Sequence, residues 1–277
     1  MRSKNVNERA HRRGGSFNGP FLILPVVLIL CFGVAAQDDE EEDLISPTRP
    51  GVSESVGVPK KGVVQLEYGG EFDFRSPEFK NEQSGPSGVF LGAHKRLRLD
   101  FEFTTFISQR NRMEMRETGI GDVSLGFKAI FRDKPKERLG VGMSYSVKLP
   151  AASEEKGLGT GRVDHNIRLI LNRTYGDNDF TFNLSYLDVG RDDSERRASG
   201  GQFVFSYERK LPRKFSVIAE TWGNSVDERQ PRGIYVLGAV TYKVSRRVRV
   251  DGGFRPGFGS HAPKFNAFAG LALGIGG

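Results

Sequence analysis

Apolar and polar residues alternate in about twelve short segments between residues 62 and 277. In the first segment Val64, Leu66 and Tyr68 alternate with Gln65 and Glu67. Successive side chains of a β-strand point to opposite faces, so a period of two indicates a strand with one apolar and one polar face. The last segment, residues 265–275, repeats the pattern. We therefore predict an all-β chain of antiparallel strands.

The connections between the predicted strands differ in length according to their position. Long polar stretches follow the odd-numbered segments, for example residues 76–86, 109–118 and 150–161, whereas short turns such as 94–96 and 211–213 follow the even-numbered ones. Bacterial outer-membrane barrels have short turns at the periplasmic end and longer loops outside the cell. The pattern predicts an antiparallel transmembrane β-barrel of about 12 strands, of the outer-membrane type.

The N-terminal region has the features of an export signal. Basic residues including Arg2, Lys4 and Arg9 precede an apolar stretch at residues 21–34, and small residues follow at Ala35 and Ala36. This pattern is typical of a cleavable signal peptide. We predict three parts: a signal peptide at 1–36, an extension at 37–61 and the transmembrane barrel at 62–277. Export places the barrel in a bacterial outer membrane.

The extension at 37–61 differs in composition from the predicted barrel. Residues 37–43 read QDDEEED, and residues 45–61 are rich in Pro, Gly and Ser. A charged segment with few apolar residues is typical of a solvated extension. The second stretch could lie against the periplasmic mouth of the barrel or enter its lumen.

Removal of the signal changes the charge and the thiol content. The 41 Lys and Arg and 34 Asp and Glu residues of the chain become 36 and 33, because residues 1–36 hold five bases and one acid. The high isoelectric point therefore does not indicate a nucleic-acid partner. Cys31 is also removed, which excludes disulfides and cysteine-ligated metals from the mature chain.

If the apolar faces of the strands contact lipid, the charged residues of the polar faces line the lumen. Both signs are interleaved there, which suits either a hydrated path that screens solutes or a ladder of ion pairs that braces the wall. Eight-stranded barrels usually have a lumen filled by side chains, and sixteen-stranded ones leave a channel. A barrel of about twelve strands lies between these sizes, so the strand number does not show whether the lumen is open. The candidate lumen and solute-path residues are Glu67, Glu71, Asp122, Lys148, Asp164, Arg168, Glu220 and Arg249.

Candidates for catalysis are few. His94, His165 and His261 lie in or beside predicted turns and loops, where a solvated histidine is the simpler interpretation. Ser260 and His261 are adjacent on one segment and would point apart, whereas a Ser–His pair must converge. We predict no enzymatic activity, no cofactor and no bound metal.

Three stretches resemble one known family: residues 46–69 (SPTRPGVSESVGVPKKGVVQLEYG), 118–131 (TGIGDVSLGFKAIF) and 146–164 (SVKLPAASEEKGLGTGRVD). They are similar to the outer-membrane transporter family of the "meta-pathway of phenol degradation", in order over the mature chain. The resemblance implies a β-barrel that admits hydrophobic or aromatic solutes. Its motifs contain Glu67, Asp122, Lys148 and Asp164.

The leading hypothesis is a monomeric outer-membrane channel for passive uptake of small, hydrophobic or aromatic solutes. Its other expected partners are outer-membrane lipid and, during insertion, the barrel-assembly machinery. The alternative is a plugged structural or adhesive barrel without transport, whose outer loops at residues 110–117 or 191–197 would make the contacts. A third hypothesis is a soluble periplasmic β-protein, but rows of exposed aromatic side chains would make such a protein aggregate.

Overall fold

The structure is a computed structural model that describes residues 42–76, 79–133, 139–190, 197–226, 232–259 and 262–277. The predicted signal peptide and residues 37–41 of the acidic run lie outside these ranges, so the division into three parts stays a prediction. In the described ranges the secondary structure consists of strands, turns and irregular segments, without a helix. No helix in this part of the chain is long and apolar enough to cross a membrane.

The described ranges contain strands of four to sixteen residues that form one antiparallel sheet. They are β1 (Val64–Phe74), β2 (Phe79–His94), β3 (Leu97–Asn111), β4 (Arg116–Gly119), β5 (Val123–Arg132), β6 (Gly140–Leu149), β7 (Asp164–Tyr175), β8 (Asn178–Gly190), β9 (Arg197–Lys210), β10 (Phe215–Asn224), β11 (Gly233–Ser245), β12 (Val248–Phe258) and β13 (Phe265–Ile275).

The sheet closes into a barrel because β1 pairs with both β2 and β13. The closing register runs from Val64 opposite Ile275 to Phe74 opposite Phe265. β4 and β5 pair with successive parts of β3 and together fill one position in the wall. The thirteen strands therefore occupy twelve positions, and the predicted twelve-stranded antiparallel barrel is confirmed. Closure leaves neither terminal strand with a free edge.

The alternating pattern places apolar side chains on the outer face and polar ones inside. On β8, Leu184 is 51% exposed and its neighbour Asn183 is 0% exposed. On β1 Tyr68 is exposed whereas Gln65 and Glu67 are buried. A row of apolar side chains on the outside of a closed barrel is the surface that a lipid bilayer requires. The interior is polar, with buried apolar clusters among the charges.

The two ends of the barrel differ in their connections. At the near mouth, where the chain enters β1, the turns 95–96, 176–177 and 246–247 have two residues each. At the far mouth the connection at 150–163 is the longest. The predicted asymmetry of the connections thus holds at most positions, although the near-mouth connection 133–139 is longer than the far-mouth connections 75–78 and 112–115.

Two of the predicted long loops are wrong. Residues 79–86 belong to β2, and β3 continues to Asn111 before β4 begins at Arg116. The pattern of apolar residues missed these extensions because the segment is polar on both faces. Pairing to both neighbours nevertheless keeps it extended: Glu82 lies opposite Asp73 on β1 and opposite Gln109 on β3. Backbone hydrogen bonds stabilise a strand without an apolar face when it has two partners.

Candidate functional site

The lumen of the barrel contains residues 42–63, which we name the luminal segment. It enters at the near mouth, where the Leu44 amide donates to the Arg246 carbonyl at 3.0 Å, and returns there, where the Lys60 amide donates to the Leu44 carbonyl at 3.0 Å. The segment therefore forms a loop inside the barrel before β1 begins. The sequence left open whether this segment lies against the periplasmic mouth or enters the lumen, and the structure places it in the lumen.

Inward-facing side chains of the wall satisfy the backbone of the luminal segment. The amides of Val52 and Ser53 donate to the Glu220 carboxylate at 2.7 and 3.2 Å. The amide and hydroxyl of Thr48 both donate to Glu67 at 2.7 Å. A buried backbone amide without a partner costs free energy, so these acceptors hold a non-regular segment in a place where water is scarce.

Glu54 of the luminal segment lies at the centre of a cluster of cations. Its carboxylate is 3.1 Å from Arg98 on β3, 3.7 Å from Lys128 on β5 and 3.1 Å from Arg168 on β7. The Ser144 hydroxyl also donates to it, at 2.9 Å. Burial alone would raise the pKa of Glu54, but the three cations outweigh burial and lower it from 4.5 to about 2. Glu54 is therefore ionised at neutral pH.

Further ion pairs hold the rest of the luminal segment. Arg49 pairs with Asp251 on β12 at 3.3 Å, and Asp43 lies between Lys243 at 2.6 Å and Arg249 at 3.4 Å. The segment also buries apolar side chains against the wall, such as Val56 against Ile130 and Ile170. Charged, polar and apolar contacts together fix this segment in the near half of the lumen.

A second charged cluster lies towards the far mouth, away from the luminal segment. Lys148 on β6 is 3.1 Å from Asp122 and 2.7 Å from Asp164. Asp122 also accepts the amides of Ala151 and Ala152 at 3.1 and 3.0 Å. This cluster connects the end of β6 to the start of β7 and positions the long connection between them.

A third group combines aromatic rings with a buried arginine. Trp222 stacks on Tyr235, with ring centroids 5.1 Å apart and an interplanar angle of 8°. Arg255 lies over Trp222 at 5.8 Å and over Phe268 at 5.9 Å, and it pairs with Glu71 at 2.7 Å. Cation–π and stacking contacts of this kind stabilise a packed wall.

Two cavities lie on opposite sides of the luminal segment. The larger, of about 1360 Å³, is lined by residues 48–54 of the segment and by far-half residues such as Asp122, Leu158 and Asn266. The smaller, of about 230 Å³, is lined by Asp43 and residues 45–51 together with wall residues that include Arg249. Residues 48–51 and Ser53 line both cavities. The segment thus separates a vestibule in the far half from a small cavity near the opposite mouth.

The eight candidate residues predicted from the sequence fall into three places. Glu67, Arg168, Glu220 and Arg249 contact the luminal segment; Asp122, Lys148 and Asp164 form the far cluster; Glu71 pairs with Arg255. All eight are inward, and all have polar partners within the protein. Their role in a solute path stays a prediction.

Sequence reasoning missed Glu54 and Arg49 as site residues because they precede the first strand. The signal that could have found them was present, since the T-R-P and S-E-S motifs at residues 48–50 and 53–55 are among the most specific parts of the family resemblance. A charged motif in a segment otherwise rich in Pro, Gly and Ser implies partners elsewhere in the fold.

The histidines form no catalytic set in the described residues. His94 lies at the end of β2, and the ring of His165 is 2.8 Å from the Tyr145 hydroxyl. His261 and Ser260 lie outside the described ranges, as do residues 191–196 of one proposed adhesive loop. Within the described ranges no group of three or more His, Cys, Asp or Glu side chains could hold a metal ion.

Comparison with known sequences identifies the family of the chain. The family described as "Putative MetA-pathway of phenol degradation" matches residues 48–275. The chain belongs to this family. The match begins inside the luminal segment, so it covers residues 48–63 of that segment as well as the barrel. A search of curated proteins found no match.

Solved structures show the same fold at low sequence identity. An outer membrane channel from Pseudomonas putida F1 is 11% identical, with a TM-score of 0.60 over 82% of this chain and 99% of that one. The NanC porin is 10% identical, with a TM-score of 0.55 over 76% of this chain and 100% of that one. The chain therefore has an outer-membrane-type, porin-like barrel fold.

Proposed function

We propose that the protein is a channel for passive uptake of small solutes across a bacterial outer membrane. The observation that carries this proposal is the vestibule of about 1360 Å³, whose floor is the luminal segment. Pockets that enclose small molecules usually measure about 300–1,000 Å³, so the vestibule has room for a small solute with its water. The barrel fold and the channel and porin among its structural neighbours support the same role.

The structure corresponds to a closed form in this proposal. The luminal segment lies between the two cavities, so a solute passes only if residues 48–54 move. The near mouth faces the periplasm, as the short turns there suggest, and the exported chain enters the membrane with the barrel-assembly machinery. The channel acts as a monomer in outer-membrane lipid, with no nucleic-acid partner and no enzymatic activity.

The proposed solute class is hydrophobic or aromatic. Support comes from the description of the family, which refers to phenol degradation. The accessible side chains of the vestibule include Ile107 and Leu158 beside carboxylates such as Glu102. Apolar and polar groups side by side suit a small amphipathic solute such as a phenol.

Single-channel conductance of the refolded protein in a planar bilayer tests the proposal. We expect the wild type to conduct rarely, and a Glu54→Gln/Glu220→Gln variant to conduct more often, because both carboxylates hold the luminal segment. Phenol added to the bath should reduce the current through the variant. The matched control is Asp164→Asn, which removes a luminal carboxylate that does not contact the segment.

A plugged structural barrel is the alternative, and the many contacts of the luminal segment favour it. The same experiment separates the two functions. If labelling of a cysteine at position 53 shows that the segment has loosened in the double variant, and the barrel still carries no current, the channel proposal is wrong. If the variant conducts and phenol does not change the current, the channel proposal stands and the proposed solute class is wrong.

A further inference from the structure

Two guanidinium groups without a partner among the described residues lie on the outer face of the barrel, close to the near mouth. Arg173 on β7 and Arg209 on β9 both point outwards and are exposed, since their strand neighbours Asn172 and Glu208 point inwards. In the described part of the chain neither side chain has a hydrogen bond or ion pair to the protein. A cation on the outer face of a membrane barrel requires a polar environment.

Strand register places the two arginines around one patch. Arg173 lies opposite Phe180 on β8, Phe180 lies opposite Tyr207 on β9, and Arg209 lies opposite Asn178. The arginines are thus two strands apart, about 10 Å across the sheet and two residues along it. Side chains as long as arginine can converge over that distance on a single group with two or more anionic oxygens.

Aromatic side chains border the patch and mark the level of the membrane interface. Phe180 and Tyr207 have ring centroids 5.1 Å apart, and Phe215 and Tyr242 on β10 and β11 form a second pair at 4.7 Å. Tyrosine and phenylalanine girdles lie where the hydrocarbon meets the headgroups. Arg209 is closer to the near mouth than Tyr207, which places its guanidinium among lipid headgroups.

Exposed arginines at the far mouth have a different environment. Arg197 pairs with Asp188 at 2.8 Å, and Arg110 pairs with Glu114 at 2.5 Å. These charges are compensated within the protein, whereas those of Arg173 and Arg209 are not. The turn after β9 adds the exposed Arg213 near the patch.

We propose that Arg173 and Arg209, with the flanking aromatic rings, form a binding site for the phosphate headgroup of an anionic phospholipid in the leaflet at the near mouth. Arginine binds phosphate oxygens through two parallel N–H donors, and the rings contact the glycerol backbone and upper acyl chains. The site is on the lipid side of the wall and is independent of the lumen, so it does not depend on whether the barrel conducts.

Native mass spectrometry of the full-length mature barrel tests this site. The protein is released from vesicles of phosphatidylethanolamine and phosphatidylglycerol in equal amounts, and the retained lipid is identified. Two cations near an anionic surface contribute a preference of about tenfold or more, so we expect the wild type to retain phosphatidylglycerol by that factor. An Arg173→Gln/Arg209→Gln variant should lose the preference.

The matched control is Arg110→Gln/Arg197→Gln, which removes two exposed arginines at the far mouth and should keep the preference. A heat-modifiable shift on a gel reports whether each variant has folded. If the glutamine variant does not fold, Arg173→Lys/Arg209→Lys replaces it and should reduce the preference, because lysine lacks the paired donors.

Several results would overturn the proposal. These are equal retention of both lipids by the wild type, an unchanged preference in the variant, and an equal loss in the variant and the far-mouth control. When lipopolysaccharide is added to the vesicles, its retention at this site in preference to phosphatidylglycerol would also contradict the assignment.

Discussion

The near and far halves of the lumen contain the same kinds of charged residue in different arrangements. In the near half, wall residues such as Arg98, Arg168 and Glu220 are bound to the luminal segment. In the far half, Lys148 pairs with Asp122 and Asp164, which belong to the wall and its connections. Charges of the first kind hold a segment in place, whereas charges of the second kind brace the barrel around a vestibule.

The two halves relate differently to the bracing of the wall, which is one of the two uses of luminal charge that the sequence left open. Bracing describes the far cluster, because its members lie on the adjoining strands β6 and β7 and directly before β5. It does not describe Glu54, which is not on a strand and contacts strands β3, β5 and β7 together. Substitutions in the near half should therefore loosen the luminal segment, and those in the far half should leave it in place.

The largest expected effect is that of Glu54→Gln. Breaking a buried ion pair costs about 3–5 kcal/mol because the remaining charge is left uncompensated, and Glu54 has three partners. In the mature chain, which lacks Cys31, with Ser53→Cys as a label site, maleimide labelling should become about two orders of magnitude faster or more. An Asp164→Asn variant with the same label site should react like the parent. Equal labelling rates in all three proteins would remove the distinction between the two halves.

Acid should reproduce part of that effect in the parent protein. The pKa of Glu54 is lowered in the folded state from 4.5 to about 2, so its stabilising contribution is complete above pH 4.5 and is lost as the pH falls towards 2. The labelling rate at position 53, divided by the rate of a free cysteine at the same pH to correct for the loss of thiolate, should rise as the pH falls across this window. The Glu54→Gln variant should show a weaker acceleration there, and an identical pH profile would assign the effect to other carboxyl groups.

Glu220→Gln should have an intermediate effect. The Glu220 carboxylate accepts hydrogen bonds from two backbone amides of the luminal segment. Each hydrogen bond to a charged acceptor stabilises the folded state by about 1.5–3 kcal/mol. The amide oxygen of glutamine retains one neutral bond, so we expect labelling at position 53 to rise about tenfold. Glu208→Gln, an inward residue of β9, is the control, and an equal rise there would contradict a specific role for Glu220.

The smallest effect on the luminal segment should come from Asp164→Asn in the far half. It removes one of two carboxylates from Lys148 and weakens the acceptor of the Gly190 amide, 2.8 Å away. We expect faster proteolysis of the 150–163 connection and no change in labelling at position 53. Faster labelling without faster proteolysis would mean that the far cluster supports the segment after all.

The strand pattern was predictable because a strand alternates its side chains whatever its partners are. Phe180, Phe182, Leu184 and Tyr186 alternate with polar residues, and β8 places them on the outer face as expected. The extended parts of β2 and β3 were not predictable in this way, since polar residues occupy both faces there. Their strand structure depends on partners that only the sheet supplies.

The sequence by itself determined that this chain forms a closed barrel with an apolar outside and charges inside, because local alternation sets which way each side chain points. It also contained the motifs that mark residues 48–55. Only the tertiary structure decided that Glu54 meets Arg98, Lys128 and Arg168, which are 44 to 114 residues away along the chain. Such contacts form only when closure brings β3, β5 and β7 around one space, so no local pattern specifies them.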